Sequence, residues 1–393
     1  MEKIIYVLHL KTKMGFLIIL LLLLNHSVTY GQFSFHNFGN IKMHENAQIG
    51  FHQNLINDGS FDENLGLAGF YNDDTAFIAG AFKPTFNDVE VVVTNDLFLN
   101  VALGITNNSN FILGDIVTPR NSPGINLDFI DNAFYASDTD ITKVDGYSSI
   151  NNKQNFVFPI GDNEKLRPLR LESDSINNLA KSAYFEENPN NPSTFPASFD
   201  TDIRTDILLT ISNYEFWDLD GVIPSKVTLT WDTESNLSNF IDEIQNIRIV
   251  GWNTQDGVWE DLGNTNFTGD FNFGEITSDV FLPDNYSVIT FGGSLSKENI
   301  TLGDYLLTPD GDGINDFLVL DAISLSPNNR LKIFNRWGRT VYEEDNYNNL
   351  FDGKANVSNV VNKNKRLPAG VYFYIINLFD IEFVHQGFLY LKQ

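Results

Sequence analysis

Val89-Glu90-Val91-Val92-Val93, Leu97-Phe98-Leu99-Asn100-Val101-Ala102-Leu103, Phe111-Ile112-Leu113-Gly114-Asp115-Ile116-Val117 and Ile125-Asn126-Leu127-Asp128-Phe129 follow one another within residues 89–129. Each run is rich in β-branched and aromatic residues, and the runs start eight to fourteen residues apart. Asn95-Asp96, Asn107-Asn108-Ser109-Asn110 and Ser122-Pro123-Gly124 stand between them as turn signals. Two architectures give that rhythm, a β-sandwich or a short β-solenoid whose coils stack their apolar residues. The order of strand, Asn-containing corner and strand leans towards the solenoid, although no exact sequence repeat accompanies it. This β-rich region is expected over 32–170, closing with Asn155-Phe156-Val157-Phe158-Pro159-Ile160-Gly161-Asp162 and Arg167-Pro168.

The same reading carries downstream. Ile207–Ile211, Val227–Trp231, Ile247–Trp252, Trp259–Gly263 and Ser287–Gly292 are strand-like runs at the spacing of an Ig-like β-sandwich, expected over 171–295. Asn253-Thr254-Gln255-Asp256-Gly257 reads as a hairpin turn, and Tyr184 to Asp206, with Asn188-Pro189-Asn190-Asn191-Pro192, as a long connection. Trp217, Trp231, Trp252 and Trp259 offer either packing residues or a platform for sugar rings; strand tryptophans in sandwiches usually pack.

Several clusters raise chemistry and are weighed against plainer readings. His36, His44 and His52 stand eight residues apart, a spacing that shares a metal only if stacking puts the rings on one face. Asp200-Thr201-Asp202, Asp218-Leu219-Asp220 and Asp242-Glu243 bring carboxyls together in sequence. Glycoside hydrolysis needs two of them facing across a cleft, and in a chain with 51 acids close pairs arise by chance. No Gly-x-Ser-x-Gly elbow, His-Glu-x-x-His pair, P-loop or dinucleotide fingerprint occurs, so no catalytic residue is assigned and the chain is read as a non-enzyme.

Composition narrows the class further. The chain has 393 residues, 33 of them phenylalanine, a formal net charge of −26 and no cysteine. Disulfides and lipidation through an N-terminal cysteine are thereby excluded, and stability must come from packed sheet. Residues 300–393 hold nine Lys or Arg against eleven Asp or Glu, so nearly all the negative charge lies in 32–299. Such a surface repels nucleic acid and anionic lipid and keeps an extracellular protein soluble. At the N-terminus, Lys3, Lys11 and Lys13 precede the apolar run Phe16–Leu24, and Thr29 and Gly31 are small residues before Gln32. Residues 1–31 therefore read as a secretory signal peptide, the apolar run being too short to span a bilayer.

The last ninety or so residues carry the most specific motifs. Leu306-Leu307-Thr308-Pro309-Asp310-Gly311-Asp312-Gly313-Ile314-Asn315-Asp316-Phe317 is followed by Leu331-Lys332-Ile333-Phe334-Asn335-Arg336-Trp337-Gly338-Arg339-Thr340-Val341-Tyr342-Glu343. Phe351-Asp352-Gly353, Leu367-Pro368-Ala369-Gly370-Val371-Tyr372-Phe373-Tyr374 and Gln386-Gly387-Phe388-Leu389-Tyr390-Leu391 complete the series. In order, spacing and terminal position this stretch, 300–393, resembles the gliding-motility-associated C-terminal domain, the type B sorting domain of type IX secretion substrates. The resemblance implies a C-terminal β-sandwich that acts as an address, not a catalyst. It implies recognition by the type IX secretion machinery, passage through the periplasm of a Gram-negative cell, and a secreted or surface-attached product.

Within this domain Asp310, Asp312 and Asp316 resemble part of a calcium loop, where hard oxygens gather around the ion. Thr308 and Val319 fall where an EF-hand needs carboxylates, so the alternatives are a shallower Ca²⁺ site and a turn held by Asx bonds. No other cofactor is expected. Leu331–Asn335 and Thr340–Glu343 are expected to pair as a hairpin, with Arg336 and Trp337 stacking to hold the sheet rather than facing the secretion machinery. The whole reads as an exported all-β protein, a solenoid or sandwich followed by an Ig-like sandwich and a sorting domain. Its acidic passenger is expected to serve adhesion or another extracellular binding role; the alternative is an extracellular carbohydrate-binding module or hydrolase.

Overall fold

The computed structural model describes residues 34–205, 207–294, 300, 302–357, 366–381 and 383–392. The expected signal peptide, 1–31, lies outside them. What is described is almost entirely β, with a few short 3₁₀ turns.

Residues 34–166 form a β-solenoid of two facing sheets. One sheet stacks Ser34–Asn37, Asn54–Asn57, Ala76–Ala79, Leu97–Leu99, Ile116–Val117, Val144–Asp145 and Ile160–Asp162 in parallel. The other stacks Gln48–Phe51, Leu67–Asn72, Thr85–Val93, Leu103–Leu113, Leu127–Ile130 and Ser148–Asn151, also in parallel. The chain thus crosses from sheet to sheet once per half coil. The run Leu97–Leu103, continuous in apolar character, is split by a corner so that its two ends serve different sheets.

Alternation along each strand explains the stack. Phe86, Val89, Val91 and Val93 of one strand point inwards and are buried. Equivalent positions on successive coils meet the same core, so Phe51 and Phe70 stack with ring centroids 5.1 Å apart and Phe61 meets Phe86 edge-on at 4.9 Å. Corners are tied by amide side chains: Asn37 donates to Asn57 Oδ1 at 2.8 Å, and Asn57 in turn to the Phe82 carbonyl at 2.9 Å. At Gly114 the coil turns at φ +80° directly beneath the Val93 carbonyl, where a Cβ would lie 1.9 Å from the oxygen.

The solenoid does not end at a boundary. After Ser148–Asn151 its second sheet continues, now antiparallel, through Ala180–Phe185, Phe216–Gly221, Tyr286–Ser294, Ile247–Asn253 and Trp259–Asp261. A separate five-stranded sheet, from Lys153–Phe158 and Leu169–Asn177 through Ser225–Asp232 to Phe273–Thr277 and Asn266–Gly269, completes the sandwich. Strand Leu169–Asn177 runs across residues 170 and 171, and one hydrophobic cluster extends from Met43 to Phe291. The sandwich therefore covers the end of the coil stack, as terminal caps do in repeat proteins.

The C-terminal domain is a five-stranded sheet with its own core. Its order is Tyr305–Leu307, Phe383–Leu391, Gly370–Leu378, Asn329–Phe334, Thr340–Asp345, the first pair parallel and the others antiparallel. Among the described residues the inner face is covered by loop side chains, Leu318, Leu320, Tyr347, Phe351 and Leu367, not by a second sheet. Gly387 is needed there because the Tyr374 ring lies over it, 2.7 Å from where a Cβ would sit.

Candidate functional site

The Asp310–Asp316 loop brings its three carboxylates together, with one oxygen from each lying within 4.8 Å of the others. Both Asp316 oxygens and one oxygen each of Asp310 and Asp312 already accept backbone amides. Asp316 accepts the Gly311 and Gly313 amides at 2.7 and 2.8 Å, and these bonds hold its carboxyl below the usual range. Asp312 accepts the Ile314 amide at 2.8 Å and Asp310 the Asp312 amide at 3.2 Å. As they stand, the carboxylates close a chain of Asx-type turns.

The Arg336-Trp337-Gly338-Arg339 segment forms the tip of the expected hairpin between Asn329–Phe334 and Thr340–Asp345. The Arg336 guanidinium does stack on Trp337, 4.2 Å from the ring centroid. Stacking to hold the sheet, however, is not what the pair does. Trp337 is 71% exposed and lies beyond the last cross-strand pair, so it contributes nothing to the core.

The histidines do not converge. His36 lies in the first solenoid sheet and bonds Asp58 at 2.6 Å, while His52 follows a strand of the second sheet and packs near Tyr71. Among the described residues no histidine joins a potential metal-binding group. Three of the four central tryptophans, Trp217, Trp231 and Trp259, are buried, and Trp252 packs edge-on against Trp259. The three buried rings fill the core, and Trp252 is half-buried against them.

Of the clustered acids, Asp200, Asp202, Asp242 and Glu243 are exposed, whereas Asp218 and Asp220 have partners within the fold. Asp218 is buried beneath Tyr147, whose hydroxyl donates to it at 2.5 Å; burial and the neighbouring Asp220 push its pKa up to about 7. Asp220 pairs instead with Lys181 at 3.0 Å. Buried Lys143 meets Asp115 at 2.7 Å, and burial raises that carboxyl to about 6. Arg167 lies between Glu215 and Asp232, with Tyr184 donating to Glu215 at 2.7 Å. Of these, the Tyr147–Asp218 bond and the Arg167 pairs join the solenoid end to the sandwich, while Lys143–Asp115 ties the solenoid internally.

A feature that no sequence motif marks lies on the outer face of the solenoid's second sheet. There, Gln48, Leu67, Asp88 and Asn108 stand side by side in register, and the next outward row is Gly50, Gly69, Glu90 and Asn110. Gln48, Leu67, Asp88, Glu90, Asn108 and Asn110, together with Glu45 and Leu65, line a groove of about 720 Å³. Tyr71 folds back across Gly69, where any Cβ would overlap its ring, and reaches Glu90 at 3.3 Å. Asn107 donates to Asp88 at 2.6 Å. The available signal was the outward set of polar residues recurring one coil apart, which becomes a row only once the coils are stacked.

Among the described residues no helix is long and apolar enough to cross a membrane. No curated protein and no solved structure matches the chain. Residues 300–391 match the family model described as the CHU_C Type IX secretion signal domain. The C-terminal sheet thus carries a type IX secretion signal, which implies interaction with that secretion machinery and export to the cell surface or beyond it.

Proposed function

We propose that the chain is an exported binding protein, in which residues 300–393 direct type IX export and the acidic solenoid–sandwich grips an extracellular polymer. The observation that carries the passenger reading is the groove on the solenoid. Rows of amide and carboxylate side chains, set one strand spacing apart (~4.8 Å), suit the repeated hydroxyls of a glycan or similar polymer better than a small apolar ligand. Catalysis is not part of this reading. Asp88 and Glu90 stand on one strand rather than on opposing walls, which favours binding over a hydrolase. After export the product is proposed to reside at the surface or in the medium by way of the periplasm, with residues 1–31 removed.

Intact-mass analysis of surface and medium fractions, from cells with and without the type IX machinery, tests the export reading. Loss of residues 1–31 and of about the last ninety, dependent on that machinery, is expected. Full-length protein held in the periplasm of both strains would refute it. For the passenger, binding of the mature protein to a panel of surface polysaccharides is compared with that of Glu90→Gln and Asp88→Asn variants, both at residues that line the groove. Equal binding by all three proteins would remove the groove from the account.

A further inference from the structure

The hairpin tip of the C-terminal domain is preformed and presents groups that a self-contained domain has no use for. Asn335 Oδ1 accepts the Trp337 amide at 3.0 Å and the Arg339 amide at 3.1 Å. The Asn335 amide donates to the Arg339 carbonyl at 2.9 Å, the Gly338 amide to the Asn335 carbonyl at 2.9 Å, and Gly338 turns at φ +73°. A locked turn thus holds Trp337 out in solvent with Arg336 on its face. Among the described residues neither Arg336 nor Arg339 has an ion-pair partner, in a chain whose acids outnumber its bases by 51 to 25.

The sheet surface that runs into this tip is apolar. On its outer face Phe334 stands opposite Phe373, which stands opposite Phe388; the next row is Val371, Tyr390 and Leu306. All but Phe334 are between 43% and 50% exposed. At the other end of the same face the charges are neutralised across strands, Lys332 with Glu343 at 3.0 Å and Arg330 with Asp345. The face therefore divides into a self-satisfied charged half and an apolar half continuous with two unpaired arginines.

Tryptophan and arginine on a rigid support are the side chains that concentrate binding energy at interfaces, and preorganisation lowers the entropy lost on docking. Unpaired guanidinium groups call for carboxylate acceptors. We propose that this tip, with the apolar rows behind it, docks into an acidic, apolar-lined pocket on a protein component of the type IX machinery. The inference rests on the secretion-signal reading and specifies the surface through which it acts.

The test is export of the full chain from a type IX-competent cell, scored as the extracellular and surface fraction against an isogenic strain lacking the machinery. The variants are Trp337→Ala, Arg336→Glu with Arg339→Glu, and Phe373→Ser with Phe388→Ser. Phe38→Ser, which removes an exposed passenger aromatic, is the comparator, and deletion of residues 300–393 tests the secretion signal itself. Each surface variant is expected to be exported at about a tenth of the wild-type level or less, with the comparator unchanged. Retained protein should keep wild-type protease resistance. Because Trp337 is outside the core, Trp337→Ala decides the matter if the phenylalanine pair proves unstable.

Normal export of Trp337→Ala and of the arginine pair would overturn the proposal while leaving the secretion signal in place. Export of the deletion would instead overturn the secretion-signal reading. Tip-dependent binding to vesicles containing phosphatidylglycerol, combined with normal export, would assign the surface to anionic lipid and overturn the proposal as well.

Discussion

Asp218 shows how a residue's neighbourhood reverses its sequence reading. Beside Asp220 it looks like a candidate acid pair, yet the two side chains have different partners, one buried against Tyr147 and the other on Lys181. The folded protein holds a proton on Asp218 up to about pH 7, whereas the ordinary value is 3.8. Between those values the unfolded chain binds fewer protons, so stability falls as pH rises from about 4 to 7. Asp218→Asn is expected to flatten that fall and to raise unfolding free energy at pH 8 by on the order of 2 kcal/mol; urea titrations at pH 5 and pH 8 check it. The Asp310 loop makes the opposite case, because its turn residues were legible and its partners were not. With Asp316 already bonded to Gly311 and Gly313, the loop is expected to hold without an ion. Thermal midpoints in EDTA and in millimolar Ca²⁺ should therefore agree to within about 2 °C, where binding of an ion to the folded state alone would raise the latter.

At the scale of the element, the strands were readable because alternation and turn chemistry are local. Asn253 does close the hairpin ahead of Trp259, its side chain accepting the Gln255 and Asp256 amides at 2.8 and 3.0 Å. Run length was less informative: Leu97–Leu103 contains one whole short strand, a corner and the first residue of the next strand. Coil stacking makes each interior aromatic part of a column. Phe70, buried between Phe51 and Phe86, should be among the costliest to truncate. Phe70→Ala is expected to destabilise the solenoid by about 3–5 kcal/mol, measured as a lower urea midpoint. Phe77→Ala, on the more exposed face of the same coils, should change it by less than about 1 kcal/mol.

At the scale of the whole molecule, the described residues form three hydrophobic clusters, two of them within residues 43–291 and one in the C-terminal domain, and this division sets the cooperative units. The solenoid and sandwich share a sheet and a core cluster that runs from Met43 to Phe291, while Leu302 to Leu391 contribute to another. Scanning calorimetry of the full chain is expected to resolve two transitions, one for residues 34–294 taken together and one for the C-terminal sheet. Three transitions, with solenoid and sandwich melting apart, would contradict the shared core. The all-β class, the export signal at the C-terminus, the Arg336–Arg339 hairpin and the separate Asp-rich turn were legible in the sequence alone, since each depends on residues near one another along the chain. Tertiary structure alone decided between coil and sandwich for the first region and joined it to the second through one sheet. It also aligned Asp88, Glu90, Asn108 and Asn110 into a groove and turned Trp337 outwards. The physical reason is common to all of these: parallel stacking relates residues about twenty positions apart, and burial depends on which face a neighbouring strand happens to cover.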